Sequence, residues 1–309
     1  MKKYAKNTLI SVIALGLAML ISLYALFMFK SNRVNPPFYK VTDESTGGVV
    51  YMLGTIHVGL DYTHYPRKIY KALDESDTLA VELDLLRLDE DDREIMREMG
   101  VFVLTDQSAQ DYMGKEYAEI KAAMEKYGVY SDVLEMYVPY IWTSQLLGKV
   151  TTECGYESKY GTDRAMLTYA KEHSKNIYEI ETVNQQYAVN AAASKELQIY
   201  MLKDALNDYD AQIESMRDLY KAWKNGDSKM LGGLLDESGT PDEIKDDYKE
   251  YYDNMYTHRQ EKMADYVIGC LKNGEKSFVA VGALHYFAEP DIIDYVEQAG
   301  YTVQQIGGK

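Results

Sequence analysis

The sequence predicts an α/β fold with an α+β-like helical insertion. Two duplicated βαβ halves form a mixed sheet with helices around one cleft, and one transmembrane helix precedes them. Three observations predict this. A short apolar strand running into Gly-x-x-His occurs twice, as YMLGTIH (51–57) and VAVGALH (279–285). Each copy is followed by a helical stretch and then a second strand. Ahead of both, Thr8–Phe29 runs 22 residues without a charge.

At about 1.5 Å per residue, that stretch is long enough to cross the roughly 30 Å hydrocarbon core. The exit, LFMFKSNRVNPPF, has neither a small-x-small cleavage site nor a lipobox cysteine, so an uncleaved signal-anchor is expected. Lys2, Lys3 and Lys6 precede the stretch, and Lys30 and Arg33 follow it. The positive-inside rule then favours a cytoplasmic amino terminus by a narrow margin, with the rest of the chain extracytoplasmic. The organisation read from the sequence is an anchor (1–30), a linker (31–37) and one large domain (38–309).

Within the domain, Phe38–Thr42 and Val49–Leu53 flank the turn-forming DESTGG and read as a hairpin. After Pro66, RKIYKALDES has helical spacing, and TLAVELD (78–84) reads as a buried strand ending in acids. The C-terminal block repeats the plan with SFVAVGALH, EPDIIDYVEQAG and YTVQQI. A βαβ unit normally gives parallel neighbouring strands with right-handed crossovers. Ligands on such sheets bind beyond the carboxyl ends of the strands. Related by a pseudo-twofold, the halves would bring His57 and His285 to one cleft. Between them, Asp106–Tyr127 and Asp132–Val150 have helical periodicity. TDRAMLTYAKEH is a helix leading to the strand NIYEIE, and 184–273 reads as several helices broken near Gly226 and Gly239-Thr-Pro.

Composition narrows the function. The 309 residues carry a formal charge of −16, and the first 37 contribute +5 with no acid, leaving −16 − 5 = −21 on the remainder. Such a surface repels phosphate backbones and anionic head groups, so nucleic acid is excluded as a partner. It is compatible with cation binding, and equally with plain solubility. The 29 tyrosines, against 6 phenylalanines, read as aromatic cores that reach the surface. Cys154 and Cys270 lack C-x-x-C spacing and are expected to be structural thiols, although one disulfide is open to them outside the cytoplasm.

The chemistry rests on few residues. Of five histidines, His57 and His285 occupy equivalent places, where a glycine permits a tight strand exit and leaves an imidazole facing the cleft. Glu82 and Asp84 end the strand of the first half, and a strand-end carboxylate beside two histidines suits a divalent ion. Two residues apart they share a sheet face, so strand geometry does not choose between them, although helix capping suits Asp84 better. Asp163 follows a glycine at a helix start and is adequately explained as a cap. Glu181 is a candidate second acid, sharing a face with Glu179. Arg259 suits either a substrate carboxylate or an acidic partner. His64 is a candidate gate, and His258 reads as a solvated helix residue. No nucleophile elbow, HExxH, phosphate loop or dinucleotide fingerprint occurs.

Taken together, YMLGTIHVG, TLAVELD, YGTDRAMLTYAKEHSKNIYEIETVNQQ, HRQEKMADYV and FVAVGALHYFAEPDIIDYVEQAGYTVQQI resemble the TraB/PrgY/GumN family, related to the Tiki proteins, over roughly Phe38–Ile306. The resemblance implies duplicated halves around one site and, by analogy with Tiki proteases, a metal held by His57, Glu82 and His285. Asp163, Glu181 and Arg259 match further polar positions of the family pattern. Phe287-Ala288 departs from the glycine that many members carry there. The expectation is a membrane-anchored, metal-dependent hydrolase using Mn²⁺, Co²⁺ or Zn²⁺ on extracellular peptides or proteins, with Glu181 or Asp163 carrying protons. The alternatives are a non-catalytic domain that sequesters a peptide of the pheromone type or a haem-like ligand, and a purely structural role for the paired motif.

Overall fold

A computed structural model describes residues 32–235 and 240–308. The expected anchor (1–30) lies outside the described residues, as does Gly239 of the expected helix break. Among the described residues, no helix is long and apolar enough to cross a membrane.

Six strands form one mixed sheet: β1 (Phe38–Asp43), β2 (Gly48–Thr55), β3 (Thr78–Val81), β4 (Asn176–Glu179), β5 (Lys276–Gly282) and β6 (Val303–Gly307), in the order β4-β3-β5-β2-β1-β6. The expected hairpin is present: β1 and β2 pair antiparallel, from Phe38↔Leu53 to Asp43↔Gly48. The four strands β2, β5, β3 and β4 run parallel. The halves are interleaved where neighbouring strands were expected. β5 of the second half separates β2 from β3, while β1 and β2 separate β5 from β6. Interleaving lays the two motif-bearing strands, β2 and β5, side by side. Both motifs therefore leave the sheet at adjacent carboxyl ends.

Alternation along the strands fills both faces. Val50 and Met52 of β2 join Val279 and Val281 of β5 against Met263, Val267 and Leu271 of the helix His258–Lys272. Tyr51, Leu53, Phe278 and Ala280 face the other way, toward helices Arg67–Glu75 and Thr162–Glu172. A sheet covered on both faces needs apolar residues at nearly every central position, which explains the continuous runs VVYML and FVAV. A separate core around Trp142, Phe102, Ile120 and Leu202 gathers the helical insertion. Its principal members are Pro139–Glu153 and Lys195–Asn207.

The expected linker is packed against the domain. Val34 and Asn35 donate backbone hydrogen bonds to the carbonyls of His64 and Lys224, Gly54 donates to that of Pro37, and Val34 is 4% exposed. Cys154 and Cys270 are free thiols.

Candidate functional site

The first histidine is set by a backbone weld. Beyond β2 the chain pairs with the loop before helix Thr162–Glu172: Gly59 and Glu157 exchange two backbone hydrogen bonds of 3.0 and 2.9 Å. Thr162 N–H donates to the Ile56 carbonyl at 2.8 Å. Gly161 lies so close that a Cβ there would stand 2.6 Å from the His57 carbonyl oxygen, so only glycine fits. This weld brings Asp163 beneath the imidazole.

Asp163 Oδ2 lies 2.9 Å from His57 Nδ1, and Oδ1 accepts from the Thr55 hydroxyl at 2.6 Å. The capping role expected of Asp163 is thus replaced; Gly161 occupies the N-cap and the carboxylate is spent on the imidazole. The Asp163 charge raises the His57 pKa to about 9, against the opposing pull of desolvation. The His57 side chain is 63% exposed and lines both cavities.

Glu82 follows the last residue of β3, 7% exposed. Its Oε1 accepts from Gly282 N–H at 2.6 Å, and its Oε2 from Arg259 at 2.7 Å and Gln186 at 3.0 Å. Burial alone would raise its pKa, but the neighbouring cations outweigh burial and hold it well below the ordinary carboxylate range. Arg259 is the cation in hydrogen-bond contact with Glu82. Asp84, its sequence competitor, instead caps the helix Leu85–Glu90 through Leu86 N–H and Arg87 N–H, at 3.0 and 3.1 Å.

Arg259 is gripped by Glu181, which is 3% exposed. Nε donates to Oε1 at 2.6 Å and Nη2 to Oε2 at 2.7 Å, a bidentate pair. Glu181 lines neither of the two cavities at the site, and Glu179 is directed away, to Arg87 and the Asp84 N–H. Gln186 bridges Glu82 and Glu181, a role with no signal in residue type or spacing.

His285 sits in the short 3₁₀ turn Ala283–Tyr286 beyond β5, 4% exposed. Its Nδ1 is buried without a hydrogen-bond partner, its Nε2 lies 3.9 Å from Glu82 Oε1, and the Tyr256 ring meets it edge-on at 5.7 Å. Desolvation lowers its pKa to about 4.

Two cavities meet here, of about 400 and 200 Å³, sharing His57, Glu82, Met255 and Arg259 in their walls. The predicted site residues form two clusters, the His57–Asp163 pair and the Glu82–Arg259–Glu181 set with His285 adjoining Glu82, and His57 and Glu82 face the same two cavities. His64 and His258 line neither cavity.

As ion ligands, the donors fit in kind. The His285 imidazole turns Nε2, not the unpartnered Nδ1, toward the Glu82 carboxylate, and the second imidazole is oriented by its own carboxylate, as ligating histidines usually are. Two donors on one ion, each about 2.0–2.2 Å from it, stand at most roughly 4.2 Å apart, and the 3.9 Å His285–Glu82 gap lies within that limit. Even so, no group of three or more His, Cys, Asp or Glu side chains among the described residues stands in ion-holding geometry. Glu82 turns its oxygens to Arg259, Gln186 and Gly282.

Residues 37–305 match the model of the TraB/PrgY/gumN family. Neither the curated proteins nor the solved structures include a significant match. With most of its length matched, the chain belongs to this family.

Proposed function

From membership of the TraB/PrgY/gumN family, we propose that the chain is a membrane-anchored, metal-dependent hydrolase of extracellular peptides or proteins. One observation supports this above the others: two strand-end imidazoles and a buried carboxylate line a common cavity system at the carboxyl ends of adjacent parallel strands.

His57, His285 and Glu82 would hold a divalent Mn²⁺, Co²⁺ or Zn²⁺. Such an ion, when bound, polarises a carbonyl and acidifies water. The chain's own residues prepare the place. Asp163 fixes the His57 ring through Nδ1, directing Nε2 to the cavity. Burial keeps His285 neutral near pH 7, with a lone pair available. Arg259 keeps Glu82 ionised, and Glu181 holds Arg259 in place. Asp163, committed to His57 Nδ1, would orient that ligand and not carry protons, and Glu181, which lines neither cavity, would serve through Arg259.

Metal analysis of the purified full chain tests the reading, followed by cleavage of a diverse peptide library. Stoichiometric metal that is lost in His57→Ala and His285→Ala, together with cleavage, is the expected result. Metal-loaded protein that leaves every peptide intact sinks the hydrolase. The alternative is a non-catalytic domain that sequesters a peptide or haem-like ligand. It is favoured by one feature, that Glu82 already receives three hydrogen bonds. Tight retention of an uncut peptide is its signature.

A further inference from the structure

The two cavities differ in chemistry, and they meet at the reactive groups. In the larger, every lining residue other than His57, Glu82 and Arg259 is uncharged. Its walls carry amides and hydroxyls: Tyr140, Thr143, Ser144, Gln186, Asn190 and Tyr251. Asn190 spends one amide hydrogen on the Gln186 carbonyl and its oxygen on Tyr251, leaving one amide hydrogen for a ligand. The smaller cavity has the reactive groups His57, Glu82, Arg259 and His285 on one side, and the rest of its wall is chiefly apolar, with Ile56, Leu219, Trp223, Met255 and Leu284. Trp223 is fixed there by its indole N–H, which donates to the Gly54 carbonyl at 2.9 Å.

Charge makes this contrast informative. On a chain with 27% charged residues, a 400 Å³ cavity whose wall beyond the reactive cluster lacks charge is matched to an uncharged ligand. The two cationic side chains on its wall are already paired, Arg259 with Glu82 and Glu181 and His57 with Asp163, so an anionic side chain would find no unpaired protein cation. Size completes the argument. An apolar cavity of roughly 150 Å³ accepts a benzene ring, so the apolar side of a 200 Å³ cavity has room for one large aliphatic or aromatic side chain beside the reactive groups and no more.

We infer that the smaller cavity is a specificity pocket for one bulky apolar side chain of an extended, uncharged peptide segment. The flanking backbone of that segment lies along the amide- and hydroxyl-lined larger cavity. Met255, common to both walls, marks the boundary between side-chain pocket and backbone groove. This assignment deepens the proposed hydrolase and relies on it only for which groups react.

The test uses the full chain and acetyl-Gly-Gly-X-Gly-Gly-amide peptides, with X as Leu, Phe, Gly, Asp or Lys. The sequence has two tryptophans, and Trp142, buried in the helical core, lines neither cavity, so a Trp142→Phe variant leaves Trp223 as the sole indole reporter. Isothermal titration of the unsubstituted protein gives the same ranking should that variant fold poorly. Leu and Phe peptides are expected to bind about ten- to a hundredfold more tightly than Gly, with Asp and Lys weakest. Leu219→Trp, which fills the pocket, should erase that preference. Selective binding without cleavage under any divalent metal supports the pocket and defeats the hydrolase. Cleavage without an apolar preference, a preference for Asp or Lys, or no binding at all overturns the pocket.

Discussion

The two Gly-x-x-His elements share a motif and a place beyond adjacent strands, yet their histidines are opposites. His57 opens onto a cavity and leans on a carboxylate that raises its pKa to about 9. His285 is buried, has an orphaned nitrogen, and titrates near 4. The strand register shows where the symmetry fails. Gly54 pairs with Val281 and Thr55 with Gly282, so the second motif starts one residue further along its strand. A one-residue offset exchanges the faces presented by side chains. The first histidine meets Asp163, and the second meets Glu82 and Tyr256. The two motifs supply two imidazoles whose surroundings set them apart, the Asp163 charge raising the pKa of one and burial lowering that of the other.

The strongest way to break the contrast is to remove the cation between them. Arg259→Met leaves Glu82 and Glu181 as buried carboxylates without their partner and should destabilise the fold by about 3–5 kcal/mol in urea titration. Unchanged stability would mean that the carboxylates are neutral. Next in size, Asp163→Asn should cost roughly 10–100-fold in metal affinity or peptide turnover, and an NMR titration should show the His57 pKa falling toward 6.5. A His57 titration that stays near 9 would contradict the assigned partner.

The third prediction sets the histidines against each other in metal-free protein. The folded-state pKa of His57 is raised, so its stabilisation is complete below about 6.5 and is lost as pH rises to about 9. The folded-state pKa of His285 is lowered, so its contribution is complete above about 6.5 and is lost as pH falls to about 4. Thermal melts across pH should lose the alkaline slope in His57→Gln and the acid slope in His285→Gln. The alkaline slope is the shallower, because cavity water screens the His57–Asp163 pair. Smallest is Asp84→Ala, expected to cost about 1 kcal/mol as a lost helix cap while site chemistry is unaffected. A loss of turnover there would revive Asp84 as a site residue.

Local patterns carried much of this in the sequence. The hairpin followed from DESTGG, and the buried strands from unbroken apolar runs. The convergence of His57, Glu82 and His285 followed from equivalent strand ends. Long-range pairing was illegible. Nothing local reports that β5 inserts between β2 and β3, since either neighbour buries the same apolar face. Asp163 reads as a helix cap because capping is a local rule, whereas its partners lie 106 and 108 residues away. Gln186 is invisible for the same reason, as both carboxylates it bridges become neighbours only when β3 and β4 pair.

The close approach at Gly161 has a genetic consequence. Any side chain there must push the His57 carbonyl and carry the imidazole off Asp163, although glycine itself contributes no chemical group. A screen for inactive but well-expressed variants should therefore return position 161 beside position 57. Read without coordinates, such a list would credit the glycine with a chemical role, when it only makes room for the imidazole.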